Sequence, residues 1–161
     1  MILILALTLL SHRVNVLTRT LDPDHYYDAV ELKERLCQMY PGYKAISMLD
    51  NLVYDGREIL WNVRSEMHTD QQDPVFGWAI LCIFGGDYEG GEIYLPNVGL
   101  RMRMQPGDIV FVKGRVIRHL IEDWTGGQRI SVPHFTHTST WKMVAELADR
   151  LGADEGEPGD D

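Results

Sequence analysis

His68 and Asp70 stand one residue apart in Met67-His68-Thr69-Asp70. On an extended strand alternate residues face the same way, so this imidazole and this carboxylate could meet a single cation. A second imidazole, His119, follows in the run Arg115-Val116-Ile117-Arg118-His119-Leu120-Ile121. On a strand Ile117 and Ile121 would share its face and turn it inward. Two histidines and one carboxylate on one side of an ion leave neighbouring coordination positions open, a donor set that suits non-haem Fe(II) and lets further ligands reach the metal.

Ten residues beyond His119 comes Arg129-Ile130-Ser131. Arg129 and Ser131 would share a strand face and offer a planar two-donor fork beside a hydroxyl, which suits a carboxylate. Asn62 and Arg64 have the strand parity of His68 if that strand runs straight, which would let them reach a co-substrate or substrate, or leave them with purely structural work. Each part alone is common, since His-x-Asp pairs arise by chance and a lone buried histidine is usually a satisfied core residue. Their order, on separate expected strands, gives the set its meaning.

These residues need a β framework. From about residue 45 to 137 short runs rich in β-branched and aromatic residues are split by Asp55-Gly56, Gly85-Gly86, Gly90-Gly91, Pro106-Gly107 and Gly126-Gly127. Closely spaced strands with tight turns predict a mainly β, α+β fold with flanking helices: a double-stranded β-helix of the jelly-roll, cupin-like kind. Trp61, Trp78, Phe84 and Phe111 are expected in its core.

Helical periodicity covers about residues 5–40, divided at Asp22-Pro23-Asp24, a helix start, and ending at Pro41-Gly42 after Ala29, Leu32, Leu36, Met39 and Tyr40. A last helix is predicted over about 139–151, with Thr138 or Ser139 as its cap and Gly152 as its stop. The reading is one domain over 1–151 and an acidic, disordered tail over 152–161.

The formal net charge of −9 argues against a broad basic nucleic-acid footprint, although Arg101, Arg103, Lys113, Arg115 and Arg118 crowd into one stretch. Two cysteines, Cys37 and Cys82, indicate no disulfide framework and fit a reduced, intracellular compartment, nuclear and cytoplasmic alike. The apolar start MILILALTLL has no basic residue ahead of it and no small-x-small cleavage site after it, so neither a secretory signal nor a membrane span is expected.

Residues 58–137 resemble the 2-oxoglutarate and Fe(II)-dependent dioxygenase superfamily, in the ligand order and in Gly90-Gly91-Glu92-Ile93-Tyr94-Leu95-Pro96. The stretches Leu95 to Leu100, Pro106 to Phe111 and Gly114 to His119 are similar to fungal sequences grouped with TET/JBP-like dioxygenases. The resemblance implies iron on His68, Asp70 and His119, and the C5 carboxylate of 2-oxoglutarate on Arg129 with Ser131 as a helper. Asn62 is added from strand parity as a further co-substrate contact. It implies O2 as co-substrate, ascorbate as a candidate reductant, and hydroxylation of a C–H bond, with a methylated nucleobase as one substrate class. A protein side chain or small molecule, and a non-catalytic cupin-like binding module, are the alternatives. The chain departs from TET-like enzymes at Asp73, where they carry Asn.

Overall fold

The structure, a computed structural model, describes residues 2–154; from residue 155 onward the expected acidic tail lies outside the described residues. The chain forms two compact units, Met1–Val53 with His137–Asp161, and Tyr54–Thr136.

The first unit is helical: α1 (Ile2–Leu21), α2 (Pro23–Met39), α3 (Pro41–Ser47) and α4 (Thr138–Asp154). Helix α2 starts where the sequence says it should. Asp22 is its N-cap, accepting from the His25 N–H at 3.1 Å, and Pro23 occupies the first turn, where a missing N–H costs nothing. Its stripe of Ala29, Leu32 and Leu36 is buried, and Leu32 and Leu36 share a small core with Val144 of α4.

Three boundaries differ from expectation. Pro41 does stop α2, but it also begins α3: Tyr40 is extended (φ −126°, ψ 102°) and the proline ring is already set for a first helical turn. The strands therefore start at Gly56 instead of near residue 45. Thr138 and Ser139 lie inside α4, not at its cap, and the His137 carbonyl accepts the N–H groups of Thr140 and Trp141 at 3.1 and 3.4 Å. The helix also continues past Gly152 to Asp154. Among the described residues, no helix is long and apolar enough to cross a membrane.

The second unit carries nine strands: β1 (Gly56–Arg57), β2 (Leu60–Trp61), β3 (Ser65–His68), β4 (Ala79–Gly90), β5 (Ile93–Leu95), β6 (Leu100–Met102), β7 (Ile109–Val112), β8 (His119–Ile121) and β9 (Trp124–Phe135). They form two antiparallel sheets, one ordered β1-β9-β4-β7 with β2 also on β9, the other β3-β8-β5-β6. This is the jelly-roll arrangement the sequence predicts. Its spine is the pairing of β4 with β9, from Ile80 opposite His134 to Gly90 opposite Trp124.

The core of this unit is aliphatic: Ala79, Ile83, Ile93, Leu95, Met104 and Val112 are buried together. The expected aromatic core is a misreading. Trp61 and Phe84 both pair with Ile130 across β9, so the three form one row on the sheet face opposite Arg129 and Ser131, where Trp61 is 57% exposed. Trp78 and Phe111 are half-buried, edge to face at 6.1 Å. Strand parity, not hydrophobicity, decides which residues enter the core.

Candidate active site

His68 ends β3 and His119 begins β8, and the two are direct partners in that ladder. Their rings lie 4.3 Å apart between centroids. Asp70 closes the group: its Oδ1 lies 3.3 Å from His68 Nε2 and 3.7 Å from His119 Nε2. One ligand atom from each residue falls within 4.8 Å of the others, close enough to surround one ion.

The sequence brings Asp70 to the right partners by a route other than the one expected. The strand stops at His68, so Asp70 is not presented by alternation but by the loop that follows. Its backbone N–H donates to the Gly114 carbonyl at 2.9 Å, and a side chain at Gly114 would collide with its carboxylate. Gly114 therefore lets the loop carrying Asp70 rest against the turn that leads into His119. The Arg115 guanidinium reinforces this tie by donating to the backbone and side-chain oxygens of Gln71. Residues 114–117 are that turn and not part of a strand, although Ile117 and Ile121 both pack against the core as expected.

Hydrogen bonds fix both imidazoles. His68 Nδ1–H donates to the Glu66 carbonyl at 2.7 Å and His119 Nδ1–H to the Ile117 carbonyl at 2.9 Å. A carbonyl only accepts, so each Nδ1 carries a proton and each Nε2 is turned toward the carboxylate, the orientation metal-binding histidines need. The His119 side chain is 7% exposed and that of His68 41%, so the cluster is closed behind and open in front.

Arg129 lies in the other sheet, on β9, and is 1% exposed. Its Nε and Nη2 have no hydrogen-bond partner. Burial, only partly offset by the nearby Tyr88, disfavours its charge and lowers its pKa below the usual arginine value. The guanidinium sits 5.6 Å from the Trp124 ring centroid, and Gly91 passes so close that an added Cβ would lie 3.0 Å from Nε. Ser131, two residues on, is also buried and shares the face of Arg129. A buried cation with unused donors is costly unless an anion meets it, so the donor pattern fits a carboxylate.

Asn62 does not lie on a straight strand with His68. It follows the end of β2 with φ +52°, so the parity argument fails, and its side-chain Oδ1 accepts the Arg129 backbone N–H at 2.9 Å. Arg64 is exposed and bridges to Asp123 at 2.9 Å. Asp73 is buried, its N–H donating to the Asp70 carbonyl at 3.1 Å. The crowded basic stretch is largely engaged: Arg101 bonds Glu122 at 2.8 Å, Lys113 holds the Phe76 carbonyl, and Arg115 holds Gln71. Of these supporting groups, Gly114, Gly91 and Trp124 escaped sequence reasoning. Glycine signals a turn locally, whereas these contacts are made across the fold.

The donor set, two imidazoles and a carboxylate, fits a divalent iron ion, and Arg129 fits one end of a dicarboxylate. Comparison with known proteins points to the same cofactor class. The model of the Tet_JBP family, described as the oxygenase domain of the 2OGFeDO superfamily, matches residues 3–138. The bifunctional helicase and thymine dioxygenase JBP2 of Trypanosoma brucei brucei is 34% identical over 89 residues, which are 55% of this chain and 7% of that protein. Its namesake from Trypanosoma cruzi is 33% identical over 63 residues, 39% of this chain and 6% of that protein. The chain thus spans less than a tenth of these relatives. The structure of NgTET1 in complex with 5mC DNA superposes with a TM-score of 0.52 at 25% identity, covering 58% of this chain and 38% of that one.

Proposed function

The chain belongs to the Tet_JBP oxygenase-domain family of the 2OGFeDO superfamily, and we propose that it hydroxylates the methyl group of a methylated base in DNA, using Fe(II), 2-oxoglutarate and O2. The observation that carries this reading is the His68, Asp70 and His119 cluster, with both Nε2 atoms turned toward one carboxylate. His68, Asp70 and His119 would hold the metal, Arg129 and Ser131 the far carboxylate of 2-oxoglutarate. Iron and 2-oxoglutarate, when bound, would activate O2, one oxygen atom entering the substrate C–H bond as a hydroxyl and the other entering the succinate formed as 2-oxoglutarate loses CO2.

The protein's own contribution is positional. The Glu66 and Ile117 carbonyls keep the ring protons on Nδ1, Gly114 holds the Asp70 loop, and the buried fork of Arg129 orients the co-substrate. The open side of the cluster, at His68, leaves room for substrate. The DNA substrate is supported by the relatives, two named as thymine dioxygenases and one solved with 5mC DNA. A base in a duplex must be extruded to reach such a site. An intracellular setting is consistent with this substrate, and ascorbate is expected to sustain turnover by keeping iron reduced.

One observation favours a second substrate class, a protein side chain or small molecule: the chain is acidic, with a formal net charge of −9, and the basic residues around 101–118 are mostly engaged within the fold. The test is to incubate purified protein with Fe(II), 2-oxoglutarate, ascorbate and duplexes containing thymine or 5-methylcytosine. Succinate together with a hydroxymethylated base supports the DNA reading. Succinate without base oxidation, and no duplex binding at low salt, favours the second class. No succinate at all rejects the enzyme.

A further inference from the structure

We propose that Asn62 is a positioning residue for Arg129, holding the strand that carries it so that the buried guanidinium meets 2-oxoglutarate at a fixed angle. This rests on the reading that Arg129 anchors the far carboxylate of that co-substrate.

Strand β2 ends at Trp61, which pairs with Ile130 of β9. The next residue, Asn62, turns to φ +52°, a left-handed conformation that most side chains avoid and that asparagine tolerates better than most. In this conformation it makes a reciprocal pair of bonds with one residue. Its N–H donates to the Arg129 carbonyl at 2.8 Å, and its side-chain Oδ1 accepts from the Arg129 N–H at 2.9 Å. A strand continuing straight would carry this position onward; here a side-chain amide oxygen satisfies the Arg129 amide instead.

The arrangement matters because of what Arg129 lacks. Its backbone is satisfied by Asn62 while its buried Nε and Nη2 have no partner. The side chain is therefore not tethered at its own end and depends on its backbone, on Gly91 and on Trp124 for its direction. A small rotation of the Arg129 peptide would swing the fork away from a bidentate approach, and planar two-point recognition tolerates such rotation poorly. The alternative is that Asn62 merely terminates β2, in which case removing its side-chain oxygen would affect stability but not co-substrate affinity in particular.

The experiment compares the full chain with Asn62→Gly, which keeps the positive φ and the N–H but loses Oδ1, and Asn62→Asp, which keeps an acceptor. Arg129→Met serves as the reference. Four quantities are read for each: anaerobic 2-oxoglutarate affinity of the Fe(II)-loaded protein by calorimetry, Fe(II) affinity, uncoupled succinate formation, and ligand-free melting temperature. Asn62→Gly should weaken 2-oxoglutarate binding about tenfold, the scale of one lost hydrogen bond to a buried donor, with Fe(II) affinity unchanged and the rate at saturating 2-oxoglutarate within about twofold. Asn62→Asp should recover most of the affinity. Unchanged 2-oxoglutarate affinity in Asn62→Gly, an equal loss in Asn62→Asp, or a parallel fall in Fe(II) affinity overturns the proposal. If the parent binds 2-oxoglutarate and Arg129→Met does not, such a result removes the role of Asn62 alone. If Arg129→Met binds like the parent, the assignment of Arg129 falls, and that of Asn62 with it.

Discussion

The His-Asp-His cluster and Arg129 are both carried by the β unit, yet they are prepared for their ligands in opposite ways. Each imidazole of the cluster has its rear nitrogen on a backbone carbonyl and its front nitrogen toward Asp70, so the group is hydrogen-bonded and half open to water before any metal arrives. Arg129 is sealed from water with two of its nitrogens unmatched. On the proposed reading the first site is held by the protein and would need only a cation, while the second is held by its backbone and would be completed by an anion. Substitutions in the two places should therefore fail differently.

The largest effect is expected at the cluster. Asp70→Ala removes the only carboxylate of the triad, and Fe(II) affinity and succinate formation should both fall more than about a hundredfold, since even partners behind a metal ligand account for about ten- to a hundredfold. Metal titration followed by turnover would show it, and a protein that kept its activity would break the comparison at its first term. Next comes Arg129→Met. Losing the cationic fork should weaken 2-oxoglutarate binding about a hundredfold while Fe(II) affinity stays near the parent value. Because an unpaired buried guanidinium is destabilising, the ligand-free variant should melt no lower than the parent. A clear fall in its melting temperature would mean that Arg129 has a structural partner the geometry does not reveal.

Gly114→Ala sharpens the contrast from the metal side. A methyl group there would press on the Asp70 carboxylate, so Fe(II) affinity should drop about tenfold even though no ligand is replaced. The smallest effect is expected at Gly91→Ala, where the new Cβ lies 3.0 Å from Arg129 Nε in a backbone with φ +75°. It should weaken 2-oxoglutarate binding a few-fold and lower stability by about 1–2 kcal/mol, the cost of a left-handed alanine, without touching the metal. Calorimetry and thermal melting separate the two contributions.

Much of this molecule is legible in its sequence because the relevant signals are local. Asp22-Pro23 marks the start of α2, Gly90-Gly91 marks the turn from β4 to β5, and the order His68, Asp70, His119, Arg129 names the candidate site. Gly85-Gly86 and Gly126-Gly127, expected to split strands, instead lie inside β4 and β9, where the two backbones pair closely. What stays hidden depends on contacts between distant segments. Parity on a strand and a loop leaning on Gly114 bring Asp70 to the same place, and only the fold distinguishes them. The left-handed turn at Asn62 leaves no periodic trace, and it converts an expected co-substrate contact into a backbone clamp. The row of Trp61, Ile130 and Phe84, in which Trp61 and Phe84 are exposed, shows that bulk and apolarity do not reveal which side of a sheet is the inside.

The central claim is that one metal and one dicarboxylate bind together, the first on the open cluster and the second with its far end on the sealed guanidinium. Anaerobic titration of the full chain with Fe(II) and 2-oxoglutarate tests it directly through the visible charge-transfer band that appears when the co-substrate chelates iron. The account predicts a band that needs both components, is absent in Asp70→Ala, and in Arg129→Met appears only at about a hundredfold more 2-oxoglutarate. No band in the parent protein, or one with the same 2-oxoglutarate dependence in Arg129→Met, would contradict it.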